Sequence, residues 1–173
     1  FLGPLHMEIV QERLEREFDM NLITTCPNVN YQVYTKNGEL LQVNNPSDMP
    51  EQGDIDTINE PFIKAEIISP AEFIGSIMKL CMSKRGIYRS TNYLSTNKVQ
   101  LIFDMPLGEI IYDFFEKLKS TSRGYASLDY EITENQNGEL VKLDVRIAGE
   151  IVDALSIIVH KDNAYRQGSS LCK

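Results

Sequence analysis

The chain repeats one strand–helix–strand plan, and this repeat restricts its fold more than any single residue does. In the first unit, an apolar strand leads into Ser-Pro-Ala-Glu at 69–72, and the next helix ends at Arg85-Gly86. In the second unit, a strand leads into Met-Pro-Leu-Gly-Glu at 105–109, and its helix ends at Arg123-Gly124. Such a unit used twice predicts an α+β, ferredoxin-like split βαββαβ module. Because both helices end in an Arg-Gly turn, we expect two basic tips near each other at one edge of the sheet.

The first helix of this module carries a clear start signal. Ser69 is predicted as the N-cap, Pro70 as the first helical residue and Glu72 as the third, which together form a capping box. In the last strand of the module, alternation predicts that every second residue from Ala126 to Ile132 points inward. The other predicted elements are strands at 62–68, 87–94 and 99–104, a turn at 135–138, a hairpin of 140–148 with 151–159 around Gly149, and a helix that starts at His160.

The first 60 residues predict a helix and a hairpin ahead of the module. Apolar residues recur at helical spacing from Leu5 to Phe18, with acidic residues on the other faces. Asn37-Gly38 is a strong hairpin signal. A polar stretch at 45–59, which contains two prolines, is predicted to be a linker. The predicted strands are 22–25 and 29–35, separated by Pro27, and 39–43.

The net charge of −8 is unevenly distributed along the chain. Residues 1–60 contain 11 acidic and 3 basic residues, whereas residues 61–173 contain 14 of each. Within the second part, residues 84–123 contain 7 basic and 4 acidic residues. The overall charge argues against a nucleic-acid partner, but this local excess of basic residues is compatible with one.

Several broad classes of protein are disfavoured by the composition. No apolar run approaches the ~20 residues that span a membrane, and there is no secretory signal pattern. The three cysteines, Cys26, Cys81 and Cys172, are far apart and form no metal-binding spacing, so we expect reduced, buried thiols in a cytosolic protein. Because the chain starts at Phe1 and helix-like sequence begins at Leu5, we expect a piece of a longer protein.

No catalytic set can be assembled from the sequence. The phosphate-binding loop pattern of nucleotide hydrolases is absent. The two histidines, His6 and His160, lie in distant segments, so no triad with a serine or cysteine is indicated. We expect a structural role for His6 and a helix-capping role for His160. The sequence therefore predicts no catalytic, cofactor or metal site in this chain.

Basic residues near the two Arg-Gly turns are the best candidates for binding. Arg85 and Arg123 each lie beside a glycine in a tight turn, where backbone N–H groups could also meet phosphate oxygens. The alternative is that these side chains only offset the helix dipoles. The candidate ribosome- or RNA-binding residues are Lys84, Arg85, Arg89, Lys119, Arg123 and Tyr125, within a wider basic set that includes Lys98 and Lys117.

The stretch 123–130 approaches the RNP1 signature of RNA-recognition motifs. Two features count against that reading. The stretch falls on the fourth strand of the module, whereas the signature belongs on the third, and the exposed face would show only Tyr125 followed by Ser127. One ring does not make a stacking platform.

The sequence resembles the LepA family of translation factors (elongation factor 4) over nearly its whole length. The opening run 1–18 is similar to the third domain of that family, and 60–131 to its equivalent of domain V of elongation factor G. The most specific part is Val-Asp-Ala-Leu-Ser-Ile-Ile-Val-His at 152–160 with Ala-Tyr-Arg at 164–166, which resembles the start of the C-terminal domain found in this family. Two small departures are Pro4 in place of an aliphatic residue and Ser-Lys-Arg-Gly at 83–86, where an Arg-Arg-Gly turn is also common.

The resemblance implies a domain organisation. Residues 1–35 would be the second half of domain III, 36–60 a hairpin and linker, and 61–134 the ferredoxin-like equivalent of domain V. Residues 135–173 would begin the family's own C-terminal domain. The GTPase domain, with its GTP and Mg²⁺, would lie upstream and outside this chain.

The resemblance also implies a function for the parent protein. Its family consists of ribosome-associated GTPases, for which back-translocation or translational fidelity is proposed. The implied partners are the large ribosomal subunit, through ribosomal RNA and proteins, and tRNA through the full-length parent. The implied location is the cytoplasm, with peripheral association at the inner face of the membrane. Two alternatives remain at this stage: a ferredoxin-like module that senses a small molecule or binds RNA without catalysis, and a hydrolase.

Overall fold

The computed structural model describes residues 4–22, 29–111, 113–152 and 155–171. Most of its strands belong to one antiparallel sheet, and a smaller hairpin unit follows. In the described part, no helix is long and apolar enough to cross a membrane. The elements in chain order are α1 (Pro4–Phe18), β1 (Tyr31–Thr35), β2 (Leu40–Val43), β3 (Ile55–Pro70), α2 (Ile74–Ser83), β4 (Ile87–Ser95), β5 (Lys98–Pro106), α3 (Phe114–Thr121), β6 (Ser127–Asn137), β7 (Leu140–Leu143), β8 (Arg146–Ile147), β9 (Glu150–Ile151), β10 (Ile157–His160) and α4 (Ala164–Leu171).

The predicted split βαββαβ module is confirmed. Its elements run β3-α2-β4-β5-α3-β6, and its strands lie in the order β6-β3-β5-β4. Alternate residues of β3 and β5, together with Leu128 of β6, supply apolar side chains to one face of the sheet, where α2 and α3 cover them. Fully buried members of this core include Ile63, Ile67, Phe103, Phe114 and Leu118. The core therefore lies between one face of the sheet and the two helices.

Strand β3 is longer than the sequence predicts, and it joins two cores. Its first residues, which the sequence analysis assigned to a linker, pair with β1, and Ile58 is buried in a second apolar cluster. The linker prediction is therefore wrong for residues 55–59. The prediction relied on their polar side chains. A strand inside a sheet, however, has its backbone N–H and C=O groups paired whatever its side chains are.

The second cluster forms around the β1–β2 hairpin. Val33 and Val43 are buried there with Ile58 and Leu140. The Asn37-Gly38 turn joins the two strands as predicted, with Gly38 at φ +85°. Because Leu140 comes from β7, this cluster ties the start of the C-terminal part to the main sheet.

The predicted capping box of the first module helix is wrong. Strand β3 continues to Pro70, a 3-10 turn follows at Ala71–Phe73, and no side chain caps the start of α2. The Ser69 hydroxyl donates to the carbonyl of Pro70 instead. Since Ser69 pairs with Val99 across the sheet and is buried, it is held in extended backbone and cannot reach the helix N–H groups.

The inward alternation predicted for the last strand of the module is only partly confirmed. Ala126 is buried and Leu128 is half-buried, but Tyr130 and Ile132 are exposed. They lie opposite Ala65 and Ile63 on the helix side of the sheet. Strand β6 also continues through the turn predicted at 135–138, as far as Asn137.

The C-terminal part is a broken hairpin followed by a helix. Strands β7 and β10 pair, as do β8 and β9, around the left-handed residues Ala148 and Gly149. The Nδ1 atom of His160 accepts a hydrogen bond from the Asp162 N–H ahead of α4, so the predicted capping role is confirmed. The helix predicted from Leu5 to Phe18 corresponds to α1. The prediction for 23–25 falls outside the described residues.

Candidate nucleic-acid interface

The two Arg-Gly tips lie at opposite ends of the sheet, and the prediction that they are neighbours is wrong. Arg85 pairs with Glu60, near the end where Phe62 faces Pro106. Arg123 precedes β6 at the other end, where Ile68 faces Ser127. The extended strand from Glu60 to Ile68 rises eight residue steps and spans about 26 Å. The separation arises because β3 and β5 are antiparallel, so the helices that follow them run in opposite directions.

The backbone N–H groups at the first tip are already bonded. Arg85 adopts φ +59°, and its N–H donates to Met82 O at 3.1 Å. The Gly86 N–H donates to Cys81 O at 2.8 Å, and a Cβ at Gly86 would lie 2.7 Å from that oxygen. The glycine is therefore required for close approach to the helix end, and the predicted free N–H groups for phosphate are absent here.

The Arg85 side chain is committed to a buried ion pair. Its Nη1 and Nη2 atoms each donate to a Glu60 carboxylate oxygen at 2.7 Å, and its Nε lies 3.3 Å from Glu109 Oε1. The Glu60 side chain is 3% exposed. Burial opposes the charge on Arg85, but the hydrogen bonds to Glu60 and the charge of Glu109 outweigh it, so the pKa of Arg85 is raised.

Two other predicted binding residues are also paired with carboxylates. Lys84 Nζ lies 2.7 Å from Asp113 Oδ1, and the lysine side chain is only 13% exposed. Arg89 Nε donates to Asp104 Oδ2 at 2.6 Å on the open face of the sheet. At these three positions the sequence identified the cations but not their acidic partners, which are 15 to 29 residues away.

The second tip has a similar backbone but exposed side chains. Arg123 and Gly124 are both left-handed, at φ +52° and +87°. The three N–H groups from Arg123 to Tyr125 donate to carbonyls of α3 and of Ser122, which closes the helix end. The free N–H groups predicted at this tip are therefore absent as well, and any ligand has to meet the side chains.

Ser122 organises this second tip, although no sequence motif singles it out. Its Oγ donates to Leu118 O at 2.8 Å and accepts from the Ala126 N–H at 3.0 Å. Ser122 is fully buried, and it bridges the end of α3 to the start of β6. A serine four residues before Ala126, the buried residue that precedes β6, was the available signal, but serine is too common at helix ends to single it out.

The side chains at this tip form an exposed basic surface. Within the described residues, Arg123 has no ion-pair partner, and Lys119 contacts only the Gly124 carbonyl and the Phe115 ring. The Tyr125 ring is 68% exposed and lies roughly parallel to Phe73, with centroids 6.4 Å apart. We name this surface the Arg123 rim and define it as Lys98, Lys119, Arg123 and Tyr125.

A shallow pocket of about 390 Å³ opens beside Tyr125. Lys98, the first residue of β5, lines it, which brings the β4–β5 hairpin next to the Arg123 turn. The sequence placed Lys98 in the wider basic set but could not show this proximity. In the part of the chain that the structure describes, the lining residues are Ile68, Ser69, Pro70, Asn97, Lys98, Tyr125 and Ser127.

The open face of the sheet is polar and internally hydrogen-bonded. Gln100 joins Asn92 on one side to Glu66 on the other, and Glu66 also pairs with Lys64 at 2.8 Å. Asp129 faces Glu66 across the β3–β6 ladder. These paired side chains and extra carboxylates do not provide the aromatic platform of an RNA-recognition motif. The predicted single exposed ring, Tyr125, lies at the rim of this face.

Comparison with known proteins identifies close relatives. The family model described as elongation factor G C-terminus matches residues 57–146. The chain is 56% identical to elongation factor 4 of Cytophaga hutchinsonii over 174 residues, which is 100% of this chain and 29% of the relative. It is 53% identical to elongation factor 4 of Halalkalibacterium halodurans over 171 residues, covering 99% of this chain and 28% of the relative. The chain therefore spans less than a third of the length of these relatives.

Proposed function

The chain belongs to the elongation factor 4 (LepA) family of translation factors, and from this premise we propose that it docks on the large ribosomal subunit through the Arg123 rim. The observation that carries the proposal is the contrast between the two tips. Lys84 pairs with the half-exposed Asp113 and Arg85 pairs with the buried Glu60, whereas Arg123 has no ion-pair partner among the described residues. A cation with no carboxylate partner is free to neutralise a phosphate.

In this proposal the chain supplies binding rather than catalysis. Ribosomal RNA offers a dense array of phosphates, and basic side chains at a rim position a protein on such a surface without reading sequence. The GTP hydrolysis, the Mg²⁺ and any contribution to back-translocation or fidelity would belong to the rest of the parent protein. Contact with tRNA, a cytoplasmic location and peripheral membrane association remain predictions for that parent.

Of the six residues predicted to bind, we keep Lys119, Arg123 and Tyr125 in the proposed docking surface and add Lys98. Lys84 and Arg85 are assigned to the fold, because the Lys84 side chain is only 13% exposed and replacing Arg85 would leave the buried Glu60 carboxylate unpaired. Arg89 is 54% exposed but bonded to Asp104, so it is left out of the docking surface. This division makes the test sharper, since variants at the rim should not disturb buried ion pairs.

The test is co-sedimentation of the chain with isolated large ribosomal subunits across a salt series. The rim variant replaces Lys98, Lys119 and Arg123 with Gln, and the control replaces the exposed residues Arg13, Arg16 and Lys36 with Gln, so both lose three positive charges. Each lost phosphate contact lowers the slope of log affinity against log salt by about 0.7–0.9. We expect the rim variant to lose about 2 to 3 units of slope and the control to lose less than about 0.5. Equal losses in the two variants, or salt-insensitive binding, would overturn the proposal.

A further inference from the structure

We propose that the pocket beside Tyr125 binds one unstacked nucleobase of single-stranded RNA, while Lys98 and Arg123 contact the phosphates that flank it. The inference rests on the proposed docking function and specifies what the rim recognises. Basic side chains alone would bind any phosphate surface, duplex or single-stranded. The pocket and the ring add a preference for a base that has left its stack.

Tyr125 has the properties of a stacking residue. Its ring is 68% exposed, which is costly for an aromatic side chain unless something covers it. One side of the ring runs parallel to the buried Phe73, and the backbone on both sides is fixed by hydrogen bonds to Ser122. The ring is therefore held in place before a ligand arrives, so stacking a base on it costs little ordering.

The pocket has the size and lining that a base requires. Its volume of about 390 Å³ is within the usual range for small-ligand sites. Ile68 and Pro70 give it an apolar floor, while Asn97 and Ser127 provide an amide and a hydroxyl. Within the described residues neither of these polar side chains has a hydrogen-bond partner, so both are available to the edge of a base.

The distribution of charge restricts the path of the RNA backbone. Among the described residues, Lys98 is the only charged one that lines the pocket, and Arg123 lies two residues before Tyr125 in the same turn. The next positions toward the middle of the open face carry Glu66 and Asp129, which would repel phosphates. The backbone is therefore expected to follow the rim between Lys98 and Arg123 and not to cross the sheet.

The experiment measures the affinity of the chain for a labelled single-stranded adenosine octamer by fluorescence anisotropy. A second octamer has the same ribose-phosphate backbone but no bases, and a third probe is an RNA duplex of equal length. The protein variants are Tyr125→Ala and Tyr125→Phe. Tyr165→Ala is the matched control, because Tyr165 is 87% exposed in α4 and lies outside the pocket lining.

We expect the native chain to bind the adenosine octamer about five- to tenfold more tightly than the base-free octamer or the duplex. Tyr125→Ala should remove that advantage and leave the affinity for the base-free octamer unchanged. Tyr125→Phe and Tyr165→Ala should stay within about twofold of the native chain. Equal affinity of the native chain for all three probes, or no effect of Tyr125→Ala on the adenosine octamer, would overturn the base pocket.

The outcome separates this inference from the docking proposal. Salt-sensitive binding to ribosomal subunits with no preference for bases would retain the docking surface and discard the base pocket. A base preference on the octamer without binding to subunits would retain the pocket and discard ribosome docking. Because Tyr125 is mostly exposed, its variants are expected to fold, and circular dichroism with thermal unfolding verifies this.

Discussion

Arg85 and Glu60 form a bidentate ion pair, with both hydrogen bonds at 2.7 Å, between the left-handed residue that ends α2 and the first half of β3. Arg85 Nε also donates to Oε1 of Glu109, which precedes α3. The same oxygen accepts from Nδ2 of Asn163, which precedes α4. The pair thus connects the first helix of the split module to the sheet and, through Glu109, to the C-terminal part. Arg85 therefore has a structural role, and its charge is already paired with Glu60 and Glu109, so it is not available to bind an RNA phosphate.

Arg85→Ala is expected to lower the free energy of unfolding by about 3 kcal/mol, because it leaves the buried Glu60 carboxylate without its partner. Urea denaturation followed by circular dichroism measures this value. Arg13→Ala is the control, since Arg13 pairs with Glu17 on the exposed surface of α1 and such pairs contribute about 0.5 kcal/mol or less. Similar losses for the two variants would contradict a structural role for the Arg85–Glu60 pair.

The free energy of unfolding should also depend on pH through Asp113. Burial opposes the charge of this carboxylate, but hydrogen bonds from Lys117 and Lys84 outweigh it, so the pKa of Asp113 is lowered from its ordinary 3.8. A carboxylate with a lowered pKa in the folded state stabilises the protein above its unfolded pKa, and that contribution is lost as the pH falls through the folded value. Stability should therefore hold down to about pH 4 and then decline.

Asp113→Asn tests this pH dependence by removing the titrating group. Urea denaturation from pH 7 to pH 2 should show a smaller decline below pH 4 for Asp113→Asn than for the native chain. Asp48→Asn is the control, because Asp48 is exposed and forms no ion pair within the described residues. If Asp48→Asn reduced the decline as much as Asp113→Asn did, the loss of stability below pH 4 would not come from the ion pairs of Asp113.

Gly138→Ala is expected to disturb the Arg85–Glu60 pair through the Glu60 carboxylate, which Gly138 contacts closely. A Cβ at residue 138 would lie 2.3 Å from Glu60 Oε1 and 3.0 Å from its carboxyl carbon. Since Glu60 is held by Arg85, it cannot move away without breaking those hydrogen bonds, and we expect a loss of about 1–3 kcal/mol in urea denaturation. Gly53→Ala, whose Cβ would meet nothing within 4 Å, should change stability little. A harmless Gly138→Ala would show that Glu60 can be repositioned at low cost.

The sequence predicted the split module because its signals are local. Alternating apolar strands and the two Arg-Gly helix ends each depend on neighbouring residues, and the same holds for the Asn37-Gly38 turn of the β1–β2 hairpin. The buried thiol of Cys81 was also predictable from its helical spacing with Ile77, and burial raises its pKa to about 12. Cys26 and Cys172 are outside the described residues, so the prediction for them stays open.

At the candidate site, the failures concern contacts between distant residues. Glu60 follows directly on the predicted polar linker of residues 45–59, and nothing in the sequence indicated that it would pair with Arg85, which is 25 residues away. The placement of the two tips required the directions of β3 and β5 to be considered together, and helix-end signals alone do not contain that information. For the same reason Lys98 was not recognised as a neighbour of Tyr125, although both residues were noted.

Ser122→Ala should weaken docking without removing any charge. The buried hydroxyl holds the Arg123 turn by accepting from the Ala126 N–H and donating to Leu118 O. Alanine would leave the Ala126 N–H unpaired in the core, at a cost of about 1–3 kcal/mol in unfolding free energy, and would loosen the turn that positions Arg123 and Tyr125. We therefore expect reduced affinity for large ribosomal subunits at low salt with an almost unchanged salt slope, measured by the same co-sedimentation.

Ser83→Ala is the matched control, because the Ser83 hydroxyl bonds only Leu80 O at an exposed helix end. If Ser122→Ala lowered stability but left subunit affinity at the level of Ser83→Ala, the geometry of the turn would be irrelevant to docking, and charge alone would account for the rim.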